Sequence, residues 1–396
     1  MTKYTKMHRW YIVPIFLLLL GISAVSTGAT TNYQALAVSA VNDVIGNFWS
    51  GSATTGNVYP TWDGIVGDSL PDPRGGIWQS GEFVMLMENL WEVNHDSTLQ
   101  QRIQAEWNFY KSQFTLNQLT TCGVGCQIQC EDDAGWDAWT YIKCYLVTND
   151  PYALQCAEGL ENRAYARWYD SAVGGGMWYD DPHDSKSLYQ CCNVLGMLKI
   201  YELTGTKSYL TQALLCYTWM EKRLLRSDNL YWCDYSSSGP VGSTRPNDIQ
   251  EAGSVSYFGG NMMMGIIHAR LYKDTGQDIY RVRALRTAAA IRGRYLDTNG
   301  VYVDDRDAWT DATFAGEWAR EVLSLPGVDS RDIQALKTTA SAVYANDRTS
   351  TGYYGGCWDG PVGTHGDVWS NIGSTPNQIM TSCMAVSLIV GAANLP

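Results

Sequence analysis

The sequence predicts an all-α protein, an (α/α) toroid in which helical hairpins repeat around an axis. Three observations carry this. A segment recurs four times, each copy with an aromatic residue, a Thr-Gly-like turn, a second apolar anchor and a long helical pattern. The copies read "LWEVNHDSTLQQRIQAEWNFY" near Leu90, "YLVTNDPYALQCAEGLENRAYARW" at Tyr145, "YELTGTKSYLTQALLCYTWMEKRLL" at Tyr201 and "YKDTGQDIYRVRALRTAAAIRGRYL" at Tyr272. Trp91, Tyr145, Tyr201 and Tyr272 are spaced by 54, 56 and 71 residues, the length of two helices plus a loop. No run alternates apolar and polar residues as a half-buried strand does. Glycine- and aromatic-rich loops separate the repeats: "GGGMWYDD", "NLYWCDYSSSGPVG", "TNGVYVDD" and "GYYGGCWDGP". Loops held by a rigid scaffold carry function, so the cleft is expected at one mouth of the barrel.

The elements follow in chain order. Lys3, Lys6 and Arg9 precede the short apolar run "YIVPIFLLLLGISAV" and the small residues of "STGATTN". That order predicts a secretory signal over residues 1–29, cleaved after Ala29, and a single mature domain over 30–396. The apolar run contains Pro14 and falls short of the roughly 20 residues a span needs, so no stable membrane insertion is expected after cleavage. The expected location is secreted, extracellular or associated with a cell wall. Further on, Gly135, Ala138, Trp139, Ile142 and Leu146 keep the spacing of one helix face. Asp150-Pro151 reads as an N-cap followed by proline at the first helical position. After it, Ala153, Ala157, Leu160, Ala164 and Trp168 form a second stripe. Gly205 and Gly276 sit where a helix ends in a left-handed residue. Met262–Met264 read as core packing. The C-terminal "SCMAVSLIVGAANLP" is too short to span a membrane.

Composition narrows the function. The chain has 396 residues and a formal net charge of −12, which disfavours nucleic acid and anionic membranes. It carries 16 Trp and 25 Tyr against 7 Phe. Trp and Tyr pair an apolar face with a polar handle and suit a sugar-stacking cleft. The 11 cysteines are odd in number, and export would allow disulfides; a stapled loop around Cys122, Cys126 and Cys130 is expected. No CxxC pair or nearby His supports zinc there. His95, His183, His268 and His365 are scattered, and none reads as a ligand. No cofactor and no metal are expected, and the protein is expected to act as a monomer.

Asp132 and Asp133 stand side by side in "CEDDAGWDAW". Acidic residues favour a helix start for electrostatic reasons alone. Adjacent carboxylates there would also lie a few ångströms apart, which suits a retaining glycosidase better than an inverting one. Repulsion between them and an apolar wall from Trp136 and Trp139 would raise one pKa and make that group a proton donor, with an acidic pH optimum.

These residues resemble glycoside hydrolase family 76, the α-1,6-mannanases, over most of the chain. The likeness rests on "DDAGWDAW" followed by "YLVTNDPYALQCA", on "GGGMWYD", "NLYWCD", "FAGEWAREV" and "GYYGGCWDGP", and on "GIWQSGEF" near Trp78. It implies an (α/α)6 barrel, a retaining mechanism and no metal. Carried over, Asp132 would be the nucleophile and Asp133 the general acid/base. Asp234 would lie near the cleavage point, and Trp78, Trp136, Trp178 and Trp358 would stack on sugars. The chain departs from the family at two places. The family's Lys-Asn helix here reads "SKSLYQCCN", where Lys186 and Gln190 are the nearest matches. Its Tyr-Asn-Gln-Gly stretch is replaced by "SYFGGNMMMG", where Gly260 and Asn261 come nearest and are expected to shape the cleft. The chain reads as a distant member. The expected substrate is an α-1,6-linked mannan. The alternatives are transglycosylation in cell-wall remodelling, an unsaturated glycuronyl hydrolase and a non-catalytic glycan-binding module.

Overall fold

The computed structural model describes residues 31–58, 78–116, 119, 130–241, 258–303, 312–360 and 379–395, less 114, 172–173, 181–182, 184, 237–238 and 357. The expected signal segment lies outside them. Residues Tyr33–Pro396 form one unit by their contacts.

Helices dominate: α1 (Tyr33–Phe48), α2 (Trp78–Asn94), α3 (Ser97–Gln113), α4 (Glu131–Thr148), α5 (Pro151–Trp168) and α6 (Cys191–Thr204). They continue with α7 (Lys207–Arg223), α8 (Phe258–Thr275), α9 (Asp278–Tyr295), α10 (Ala315–Glu317, running into a π-turn over Trp318–Val322), α11 (Ser330–Asn346) and α12 (Ile379–Ala393). The even-numbered helices form an inner ring. α2 packs on α4, α4 on α6, α6 on α8, α8 on the π-turn, α10 on α12, and α12 back on α2. An inner helix touches neighbours on every side, so it is buried nearly all round. α12 is buried at every residue, and α8 from Phe258 to Leu271. The outer helices bury one stripe, as α5 does with Ala153, Ala157, Leu160, Ala164 and Trp168. No helix among the described residues is long and apolar enough to cross a membrane. α1 closes the barrel against the chain's far end: Arg348 pairs with both oxygens of Asp43 at 2.8 and 3.0 Å, and Tyr354 donates to the same carboxylate.

The recurrent aromatic of the sequence repeat has a structural meaning. Its carbonyl accepts the N–H of a residue four positions on, in the left-handed region. The bonds are His95 to Trp91 at 2.7 Å, and Asn149 to Tyr145, Gly205 to Tyr201 and Gly276 to Tyr272 at 2.8 Å each. φ at these residues is 51°, 56°, 71° and 68°. In three copies the preceding Thr hydroxyl bonds back one turn and then accepts the N–H two residues on, as Thr148 does from Asp150. Asp150 caps α5 as expected, accepting from Tyr152 N–H, with Pro151 at the first position. These tight turns join the C-terminus of an inner helix to the next outer one. The C-termini of the outer helices and the N-termini of the inner ones therefore gather at one end.

Short strands, missed in the sequence because each spans two or three residues, tie that end together. β1 (Trp49–Ser50) pairs with β2 (Asn57–Val58), and β3 (Ser185–Ser187), β4 (Asp234–Ser236) and β5 (Gly239–Val241) form a small antiparallel sheet. The disulfide expectation is corrected where it can be seen. All eight described cysteines are free thiols, Cys130 included, and all but Cys130 are buried. Buried thiols act here as small apolar fillers: Cys191 and Cys192 pack on the sulfurs of Met220 and Met263. Cys122, Cys126 and Cys357 lie outside the described residues.

Candidate active site

Asp132 and Asp133 occupy the first turn of α4, an inner helix, at the loop end of the barrel. The partly positive helix start favours both carboxylates. Both are half-buried. Asp133 N–H donates to Asp132 Oδ1 at 3.0 Å, which stabilises negative charge on Asp132. One oxygen of each carboxylate and the Cys130 sulfur lie within 4.8 Å of one another. These are the described residues that could share a cation, but three mixed ligands fall short of a closed four-ligand zinc site. Burial, then the charges of Asp132 and Asp133, push the Cys130 thiol well above its usual range, so it stays protonated.

The turn before α4 is fixed by a loop from the next hairpin. Glu131 N–H donates to Tyr179 carbonyl at 2.9 Å, and Cys130 forms a β-bridge with Asp180. Tyr179 N–H in turn reaches Ser185 carbonyl at the head of β3. β3 pairs with β4 so that Ser187 lies opposite Asp234. The backbone thus brings Asp132, Asp133, Trp178 and Asp234 to one neighbourhood. The side chains of Trp78, which opens α2, and of Asp234 lie outside the described set.

Trp178 is half-buried. Its indole N–H donates to Asp170 at 3.2 Å, and the His183 ring lies flat against it at 5.2 Å. The other expected sugar contacts are placed differently. Trp136 is 1% exposed, its ring against Phe314 at 5.2 Å. Trp358 is 2% exposed and meets Phe258 edge-on, its indole N–H without a protein partner among the described residues. Asn261 is fully buried; it accepts Tyr231 N–H at 3.0 Å and donates to the Tyr295 hydroxyl. As placed, Trp136 and Asn261 hold the barrel together and present no face to a sugar. Asn261 belongs to a series: Thr339 takes Tyr302 N–H and Ser382 takes Tyr354 N–H in later hairpins.

Lys186 and Gln190, singled out in the sequence as near-matches expected to shape the cleft, form a clamp behind this loop. Gln190 is buried, accepting Met177 N–H at 3.1 Å and donating to Ser187 carbonyl. Lys186 reaches the carbonyls of the glycine run. Three consecutive glycines ten residues before a lysine were the available signal.

The sequence model described as Glycosyl hydrolase family 76 matches residues 32–385. No curated protein matches the chain. Among solved structures, an inactive variant of the α-1,6-mannanase GH76A of Salegentibacter sp. HEL1_6, with two consecutive aspartates changed to asparagine and in complex with α-1,6-mannotriose, superposes with a TM-score of 0.69. It is 15% identical, with 91% of this chain and 99% of that one covered. A GH76 α-mannanase of Bacteroides thetaiotaomicron also reaches 0.69, at 16% identity, with 92% and 96% covered.

Proposed function

Because the chain belongs to glycosyl hydrolase family 76, we propose that it is an exported retaining glycosidase acting on α-1,6-linked mannan. The observation that carries this is the consecutive Asp132–Asp133 pair at the N-terminus of an inner helix, with oxygens within 4.8 Å. That bound is below the about 6.5 Å at which a water fits between acid and base, which favours a double displacement. Asp132, which accepts the Asp133 N–H, is the nucleophile on the anomeric carbon. Asp133 protonates the departing glycosidic oxygen. A glycosyl ester on Asp132 results. Asp133, now ionised, takes a proton from water as that water attacks the same carbon and frees Asp132. The fold relative that carries two asparagines in place of consecutive aspartates is described as inactive, which supports the assignment. The basic N-terminus and its apolar run support export.

The test is product analysis by mass spectrometry after incubation with linear α-1,6-mannan. Mannose oligomers should appear with the wild type, and Asp132→Asn and Asp133→Asn should each slow their release by at least about a thousandfold. Equal product from Asp132→Asn would sink the assignment, and no product from the wild type would sink the substrate.

A further inference from the structure

We propose that Lys186 is a positioning residue for the Asp132–Asp133 pair, its ammonium acting as a plug in a three-carbonyl nest that sets the backbone in front of α4. The inference deepens the glycosidase reading and rests on it for its kinetic consequence. Lys186 lies on β3 and is 1% exposed. Its Nζ donates to the carbonyls of Gly175 at 2.6 Å, Gly176 at 2.9 Å and Asp170 at 3.2 Å. An ammonium has three N–H donors and no lone pair, so three convergent carbonyls satisfy it fully. A neutral side chain of the same length would leave the buried Gly175 carbonyl unpaired and Gly176 with only the Asp170 N–H, at 3.2 Å. The ammonium also lies 4.8 Å from the ring centre of Trp178 and 5.6 Å from that of Trp219.

The carbonyls converge because of the local sequence. Gly174, Gly175 and Gly176 have φ of 89°, 103° and 78°, a run that L side chains do not adopt. From the nest the chain runs three residues to Tyr179, which is hydrogen-bonded to the start of α4. Met177 N–H is held by Gln190, Trp178 N–H bonds to Trp168 carbonyl, and Tyr179 carbonyl receives the first N–H of α4, from Glu131. The nest and the pair are thus linked through one short stretch of backbone, with the bond to Glu131 one residue before Asp132. A guanidinium is planar and carries its donors in a fork, so arginine is not a substitute here. A displacement of the order of 1 Å at reacting groups costs about a hundredfold in rate.

The experiment uses the mature protein and Lys186→Met, with circular dichroism to check folding and Lys186→Gln in reserve should the methionine variant fail to fold. Hydrogen exchange followed by mass spectrometry is expected to quicken at least about tenfold in peptides covering 130–136 and 174–180, and to stay unchanged in α11. On α-1,6-mannan, kcat should fall about a hundredfold while KM moves less than about threefold. In Lys186→Ala, added n-propylammonium, which replaces the missing atoms, should restore kcat at least about tenfold; 1-propanol at equal concentration should not. Wild-type exchange at 130–136 in the folded variant overturns the proposal, and so does equal rescue by propanol. If the wild type is inert on mannan, the functional reading fails by itself, and the exchange measurement still decides the role of Lys186.

Discussion

Replacing Glu106 with glutamine removes an ionisable group from a place where ionisation is expensive. Glu106 lies on α3, has no exposed surface, and accepts Val58 N–H at 2.8 Å. Burial raises its pKa from 4.5 to about 8, with Val58 and Tyr110 offsetting only part of that. The sign follows from proton counting. Between pH 4.5 and 8 the folded chain holds a proton that the unfolded chain has released, so stability is fully present below the unfolded pKa and falls as pH rises toward the folded one. At pH 7.5 three pH units separate the solution from the unfolded pKa, a cost of about 4 kcal/mol; at pH 5 it is under about 1 kcal/mol. Glutamine keeps a carbonyl for Val58 and cannot ionise, so Glu106→Gln should be about 4 kcal/mol more stable than wild type at pH 7.5 and nearly equal at pH 5. With an unfolding entropy of about 2 cal/mol/K per residue over a domain of this size, the gap at pH 7.5 is about 5 °C in Tm. Thermal melts of both proteins from pH 5 to 8 measure it. A gap of constant size across that range, or a less stable variant at pH 7.5, would refute the reasoning.

Two further outcomes test the core and the loop. Lys143 is buried between Glu88, at 2.6 Å, and Glu317, which joins α2, α4 and α10; Lys143→Met leaves two buried carboxylates with Arg320 as their nearest cation and should cost about 3–5 kcal/mol in urea unfolding. An unchanged midpoint and slope would mean the cluster relaxes without loss. At Gly176, where φ is 78°, an added Cβ would lie 2.5 Å from the Trp219 ring; Gly176→Ala should lower stability by about 2–4 kcal/mol, read from the same unfolding curves, because strain and overpacking add. A wild-type melt for that variant would mean the glycine run bends more freely than its geometry implies.

What the sequence disclosed follows a physical divide. Features set by backbone chemistry were legible. The αL positions at Gly205 and Gly276, the Asp150-Pro151 cap and the stripe from Ala153 to Trp168 each depend on residues within a few positions of one another, and all stand as read. Features set by what lies across the barrel were not. An inner helix has no solvent face, so its periodicity carries no direction; Gly135, Ala138, Trp139 and Ile142 seemed one face of α4, while Ala134 to Cys144 are in fact all buried. The same loss of direction explains Trp136 and Asn261. Nothing local tells a tryptophan that meets a sugar from one that meets Phe314, or an asparagine in a cleft from one that ties Tyr231 to α8. Asp132 and Asp133 stood out in the sequence because a charge carries its own constraint. A buried tryptophan costs nothing, whereas two adjacent half-buried carboxylates repel and must be compensated. The helix start and the Asp133 N–H supply that compensation. That side-by-side pair at the loop end of the barrel is the reason for the chemistry proposed there.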